Sequence, residues 1–163
     1  MATPIKTRKL SHLFLNVSDM DKSIRFYTEI LGFKVSDRNQ NGMVFLRNAT
    51  DHHSLGLAPG PAGATQAPKD RYLTFHHVAL EVESVQDLFE ARDFLQKQGI
   101  ELEFEGRRGA GCNVSLEIRD PDGYPVELTC QMDQVGWDGV TRPAEQYRPA
   151  KSLEEAIATL PGS

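Results

Sequence analysis

The sequence predicts an α+β fold built from two tandem βαβββ modules, whose strands make a cup-shaped mixed sheet. Three observations predict it. First, HLFLNV (His12 to Val17) and HVALEV (His77 to Val82) repeat one pattern 65 residues apart (77 − 12). Second, each is followed by a segment of helical period, SDMDKSIRFYTEILGF and SVQDLFEARDFLQKQGI. Third, three short alternating runs follow each helix: FKVSDR, GMVFLRN and SLGLAP, then IELEFEG, NVSLEIRD and PVELTC.

The element boundaries follow from local chemistry. In the first helix Ser18 is the expected N-cap, with Asp21 at capping-box spacing, and Ile24, Tyr27, Ile30 and Leu31 form the apolar stripe. In the second, Ser84 and Asp87 repeat the box, and Leu88, Ala91, Phe94 and Leu95 repeat the stripe. Gly32 and Gly99 stand where a helix ends in a left-handed residue. Asn41-Gly42 and Asp122-Gly123 are hairpin-turn dipeptides. The modules therefore span 8–60 and 72–131 of a single domain over 1–163. The link PGPAGATQAPKD (Pro59 to Asp70) reads as a mobile connection. An irregular tail covers 132–163 and ends in a short helix from Ser152 to about Leu160. Its Trp137 argues that the tail covers something.

Composition excludes several classes. The 163 residues carry 23 acidic and 18 basic side chains, a net charge of −5, with 39% hydrophobic and 25% charged residues. That is the composition of a globular protein, with no basic footprint for nucleic acid or anionic membrane. No apolar run reaches the roughly 18 residues of a membrane span, and MATPIKTRKL lacks a signal-peptide core. Two cysteines, Cys112 and Cys130, outside CxxC spacing fit a reducing cytoplasm and not a disulfide framework.

The five histidines carry the chemistry. Side chains alternate along a strand, so Leu13, Leu15 and Val17 face the helix while His12 faces the concave side. His77 takes the same place in the second module, and the repeat's pseudo-twofold axis brings the two together. In PVELTC, Val126, Leu128 and Cys130 form the apolar face and Glu127 faces the concave side. Two imidazoles and one carboxylate make a facial triad that leaves three positions of a six-coordinate metal open. Gly56 of SLGLAP stands where the repeat would supply a fourth ligand, so the site is open. Alternation lets one of His52 and His53 face inward, and His53 is the candidate acid/base beside the metal. His76 is expected to face away from His77 and to be structural.

These residues resemble a known group. The paired modules, LSHLFLNVSDMDKSIRFYTEILGFKV, FHHVALEV and DPDGYPVELT are similar to the vicinal oxygen chelate (glyoxalase/bleomycin resistance/dioxygenase) superfamily, over roughly Leu10 to Thr129. GMVFLRNATDHHSLGLAP is most like type I extradiol catechol dioxygenases. That resemblance implies metal ligands His12, His77 and Glu127, and a catalytic acid/base at His53. It implies an oxidoreductase using Fe(II), with Mn(II) or another divalent metal as the alternative, acting on a small aromatic diol and O2. Two positions depart from the pattern. Glu117 stands ten residues before Glu127, where those enzymes commonly have tyrosine. In EGRRGAGC, Arg107 or Arg108 stands nearest to their second histidine. Arg108, Glu117 and Trp137 are therefore the candidate substrate contacts.

Other readings compete. Fosfomycin-type transferases use the same ligand set but tend to carry threonine where Phe14 stands, and lyases or isomerases usually have a fourth ligand at the Gly56 position. A metal-free drug-binding resistance protein would need no triad. A homodimer is the default assembly, with no nucleic-acid or membrane partner.

Overall fold

The computed structural model describes residues 5, 7–66, 74–108, 113–130, 138–141, 143 and 146–159. The chain divides into two compact units, Met1–Thr65 and Gln66–Ser163, each holding one βαβββ module. The fold is α+β, with the strands in two four-stranded mixed sheets of the same internal order.

In the first unit, β1 (Leu13–Val17) leads into α1 (Met20–Arg25), followed by β2 (Lys34–Arg38), β3 (Val44–Arg47) and β4 (Leu55–Pro59). The sheet order is β1-β4-β3-β2, with β1 and β4 parallel and the other pairs antiparallel. The cap expected at Ser18 is one residue later. Asp19 is extended, and its carboxylate accepts from the Lys22 N–H at 3.0 Å. A carboxylate there satisfies an orphan donor and meets the positive end of the helix. Nor is the helix regular throughout. From Phe26 to Ile30 it widens to a π turn, Leu31 N–H donating to the Phe26 carbonyl five residues back. The wider turn buries Phe26 and Tyr27 side by side, with Leu15, Val17, Val44, Leu46 and Leu57 completing the core. Asn39 Oδ1 accepts from the N–H groups of Asn41 and Met43, which pins the β2–β3 turn and its register.

In the second unit, β5 (Val78–Glu81) leads into α2 (Val85–Lys97), then β6 (Phe104–Arg107), β7 (Val114–Arg119) and β8 (Pro125–Cys130). The order is β5-β8-β7-β6, again with one parallel pair at the edge. The capping box of Ser84 and Asp87 is formed as the sequence predicts. Val85, Leu88 and Leu95 are the buried stripe of α2, above Leu116, Ile118 and Val126. Phe94, expected in that stripe, is exposed instead, because Val85 and Arg92 complete the face toward the sheet and the next element. Gly32 and Gly99 end the two module helices with φ of 73° and 70°. Asp120 Oδ1 accepts from the N–H groups of Asp122 and Tyr124, which closes the β7–β8 hairpin and sets Glu117 opposite Glu127.

The tail is docked where it is described. Ala150 forms a two-way backbone bridge with Arg107, and α3 (Leu153–Ala158), capped by Ser152, buries Leu153 and Ala156 completely. Gly106, at φ 126°, allows this approach: a Cβ there would lie 2.2 Å from the Ala150 carbonyl oxygen. Arg92 of α2 ties the layers together, reaching Glu105 at 3.1 Å and Glu154 at 2.9 Å. Cys112 and Trp137 lie outside the described residues. Among the described residues no helix is long and apolar enough to cross a membrane.

Cys130 is a buried free thiol. Burial pushes it up to about 11, with Asp87 and Glu81 adding to the effect. Only about one molecule in a thousand carries the reactive thiolate at pH 8. Iodoacetamide at pH 8 is therefore expected to leave Cys130 unlabelled in the folded protein and to label it in urea, as peptide mass spectrometry can read.

Candidate metal centre and aromatic wall

The first sheet presents Phe14 and Phe45 on the face away from its helix, because each alternates with a core residue along its strand, and the His12 ring, just before β1, lies 5.4 Å from that of Phe14. Phe14 lies opposite Gly56, and Phe45 opposite Gly56 from the other side. The aromatic rings meet edge to face, Phe14 and Phe45 with centroids 5.7 Å apart. His53 closes the group. Its ring is 4.6 Å from that of His12 and 5.0 Å from that of Phe45. The loop that delivers it is held by Ser54, whose N–H donates to the Leu46 carbonyl and whose hydroxyl donates to Asn48 Oδ1.

Of the two loop histidines, His53 is the one turned inward. His52 stays exposed, its Nε2 3.7 Å from Asp37 Oδ2, and the two Nδ1 atoms are 2.9 Å apart. The Nε2 of His53 is buried with no hydrogen-bond partner among the described residues. Burial lowers its proton affinity, and the neighbouring His12 and His52 lower it further.

The second sheet places His77 and Glu127 together, Nε2 to Oε2 at 3.3 Å. His76, expected to turn away, instead keeps its ring against His77, with the Nδ1 atoms 2.6 Å apart. These residues precede β5, so strand alternation does not yet separate their side chains. The contact engages Nδ1 of His77 and leaves Nε2 as the nitrogen facing Glu127. Asn113 Nδ2 donates to Glu127 Oε1 at 3.1 Å and also to Thr129 Oγ1. Asn113 was not singled out by the sequence. The signal for it is alternation, since 113, 115 and 117 share a face with Glu127 once the β7–β8 register is known.

His77 and Glu127 form an imidazole–carboxylate contact whose spacing also suits two candidate metal ligands. Two ligands at right angles on metal bonds of about 2.1 Å stand about 3 Å apart, close to the observed separation. The carboxylate and the imidazole each carry an orienting partner, Asn113 and His76, as ligands generally do. Among the described residues no three His, Cys, Asp or Glu side chains converge within either sheet. His77 meets Glu127 in the second unit, and His12 meets His53 in the first.

Of the candidate substrate residues, Arg108 and Glu117 are an ion pair, and the Arg108 guanidinium lies 4.1 Å from the Phe104 ring centroid. Glu117 faces Glu127 across the β7–β8 ladder, so Arg108 offsets a like-charge contact. Arg107, the other sequence candidate, points the opposite way. It is 2% exposed and holds the end of α3, so it is structural.

The repeat also shows why a fourth ligand is missing. Phe14 pairs with Gly56 where the second module pairs Ala79 with Glu127. A Cβ on Gly56 would lie 2.2 Å from Phe14 Cε1, so the ring occupies the space a side chain would need. Gly56→Ala is expected to cost about 1–3 kcal/mol by overpacking, and much less in a Phe14→Ala background. Urea denaturation of the double-mutant cycle measures the difference.

Residues 9–128 match the model of the Glyoxalase/Bleomycin resistance protein/Dioxygenase superfamily. The chain is 33% identical over 140 residues to a biphenyl-2,3-diol 1,2-dioxygenase of Paraburkholderia xenovorans, covering 81% of this chain and 42% of that protein. It spans about two fifths of the length of several curated relatives that it matches. A probable lactoylglutathione lyase of Vibrio parahaemolyticus is 28% identical, covering 74% of this chain and 88% of that protein. The crystal structure of a variant of the fosfomycin resistance protein FosX from Listeria monocytogenes, complexed with Mn(II) and a dihydroxypropylphosphonic acid, superposes with TM-score 0.60. It is 21% identical, with 76% of this chain and 90% of that chain covered. With the family model matching most of its length, the chain belongs to the Glyoxalase/Bleomycin resistance protein/Dioxygenase superfamily.

Proposed function

We propose that this protein is an extradiol dioxygenase that opens a catechol-type ring with O2, using Fe(II), with Mn(II) as the alternative metal. The observation that carries the reading is the aromatic wall of Phe14 and Phe45 around a buried, unpartnered His53 Nε2, beside the candidate ligand His12. A flat diol ring fits against that wall.

His12, His77 and Glu127 are the residues that would hold the metal. The bound metal supplies Lewis-acid and electron-transfer chemistry between the diol and O2. The chain does the rest. Phe14 and Phe45 hold the ring edge-on and exclude water from it. His53 Nε2 takes a hydroxyl proton from the substrate and returns it as the ring opens. Asn113 keeps the Glu127 carboxylate in place, and Arg108, braced by Glu117, faces a polar substituent or the developing phenolate charge.

The test is anaerobic loading with Fe(II), or separately Mn(II), followed by catechols and O2. The expected result is a yellow semialdehyde product that requires both metal and O2. A metal-loaded sample that turns over no catechol overturns the reading. A protein that binds no metal after loading points to the drug-binding members of the superfamily instead.

A further inference from the structure

The register that positions His12 builds a second feature on the same face of the first sheet. Leu55 pairs with Leu13 on one side and with Leu46 on the other. One step along, His12, Ser54 and Arg47 therefore share a row, and Lys34, opposite Arg47, ends it. Gly32, Lys34, Arg47, Asn48 and Ala49 line a cavity of about 200 Å³ there.

Two cations placed directly opposite one another repel, which a fold keeps only at a cost. Neither Lys34 nor Arg47 has an acidic partner among the described residues. The nearby acids are engaged elsewhere, Asp51 with Lys9 at 2.6 Å and Asp37 beside His52. Asn48 adds a third donor. Its Oδ1 accepts the Ser54 hydroxyl, which leaves the two N–H donors of its amide for the cavity. The lining thus offers an ammonium, a guanidinium and an amide N–H, with no acid among them.

We infer that this cavity is an anion subsite for the side chain of the substrate. The ring lies against Phe14, Phe45 and His53, and a carboxylate on its substituent is held by Lys34, Arg47 and Asn48. The inference rests on the catechol reading above and narrows it to acid-bearing diols. Adjacent strands stand about 4.8 Å apart, so Arg47 on β3 is about 10 Å across the sheet from the strand that His12 begins. Phe45, two residues before Arg47 on β3, is about 7 Å along the strand from it, a gap that a two- or three-carbon acid side chain on the ring spans. Arg47 can take the carboxylate in a fork while Lys34 adds a point charge.

Two measurements test it separately from the metal chemistry. In the first, 3-phenylpropionate, its amide and inorganic phosphate are titrated into the full chain, and the Arg47 and Asn48 side-chain N–H signals are followed by NMR. The acid is expected to shift both, the amide neither, and Lys34→Ala/Arg47→Ala to abolish the response. No shift, an equal shift with the amide, or a response to phosphate alone overturns the inference.

In the second, the Fe(II)-loaded protein is given 3-(2,3-dihydroxyphenyl)propionate and the corresponding amide. The acid is expected to have a KM about threefold to tenfold lower, with kcat little changed, since Lys34 and Arg47 are exposed and their pairing with a carboxylate is screened by solvent. The preference disappears in the double variant. Turnover of both with equal KM overturns the anion subsite and leaves the dioxygenase reading standing. Failure to turn over any catechol overturns that reading and the substrate class named here, even where phenylpropionate still shifts Arg47.

Discussion

Glu127→Gln is expected to weaken divalent-metal binding by at least about a hundredfold, because even residues that only orient a ligand are worth 10–100-fold. The substitution keeps the shape and the Asn113 contact but removes the charge that a metal needs beside His77. The fold should not suffer. Glu127 stands directly opposite Glu117, so one fewer carboxylate relieves a like-charge contact and partly offsets the lost His77 interaction. Metal-free stability in urea is therefore expected within about 1 kcal/mol of the parent, since glutamine keeps the volume of this largely buried side chain and its Asn113 hydrogen bond. Asn113→Ala should fall between, with weaker metal binding and an intact fold. Competition with a chelator dye measures the affinity. Unchanged affinity in Glu127→Gln would remove Glu127 from the ligand set.

Arg107→Met should do the reverse, leaving the His77–Glu127 contact alone and loosening the tail. The Arg107 guanidinium donates to the Arg148 carbonyl at 3.2 Å, to Thr159 Oγ1 at 3.1 Å and to the Thr159 carbonyl at 3.3 Å, as well as to the Ala156 carbonyl. It satisfies the free carbonyls at the C-terminal end of α3, where positive charge is also favoured by the helix dipole. Methionine fills the volume but leaves the Ala156 carbonyl buried and unpaired, whereas the exposed Arg148 and Thr159 can turn to water. The expected loss is about 1–3 kcal/mol, from the one buried acceptor left unsatisfied. Arg107→Lys should recover little, because one ammonium cannot span the acceptors that the planar fork reaches. Urea midpoints give the size, and proteolysis within residues 146–159 shows where the chain opens. A loss below about 0.5 kcal/mol would mean that α3 is held by Leu153 and Ala156 alone.

The contrast between two adjacent arginines shows where sequence reading stops. Arg107 and Arg108 are chemically identical in EGRRGAGC, and nothing local distinguishes them. Alternation along β6 puts one on the helix side and the other beside Phe104 and Glu117, and that choice needs the phase of the strand. Asn113 was hidden for the same reason. The shift of the first cap from Ser18 to Asp19 has another cause: two good capping residues stand side by side, and the chain uses the one whose carboxylate reaches the Lys22 N–H. His76 departed from expectation because alternation was extended past the point where β5 begins.

What the sequence by itself determined was the βαβββ repeat, all eight strands and the helix stops. These follow from hydrophobic period, from caps and from glycine at positive φ, which are local and additive. Only the tertiary structure decided which groups meet. It paired His77 with Glu127 and His12 with His53, sent Arg107 to α3, and set Lys34 against Arg47 at the far end of the His12 row. It also showed that Gly56 lacks a ligand side chain because the Phe14 ring fills the place of one. Such meetings depend on strand register and on side-chain volume across the sheet. A single residue's shift in register reverses every face, so no local pattern can specify them.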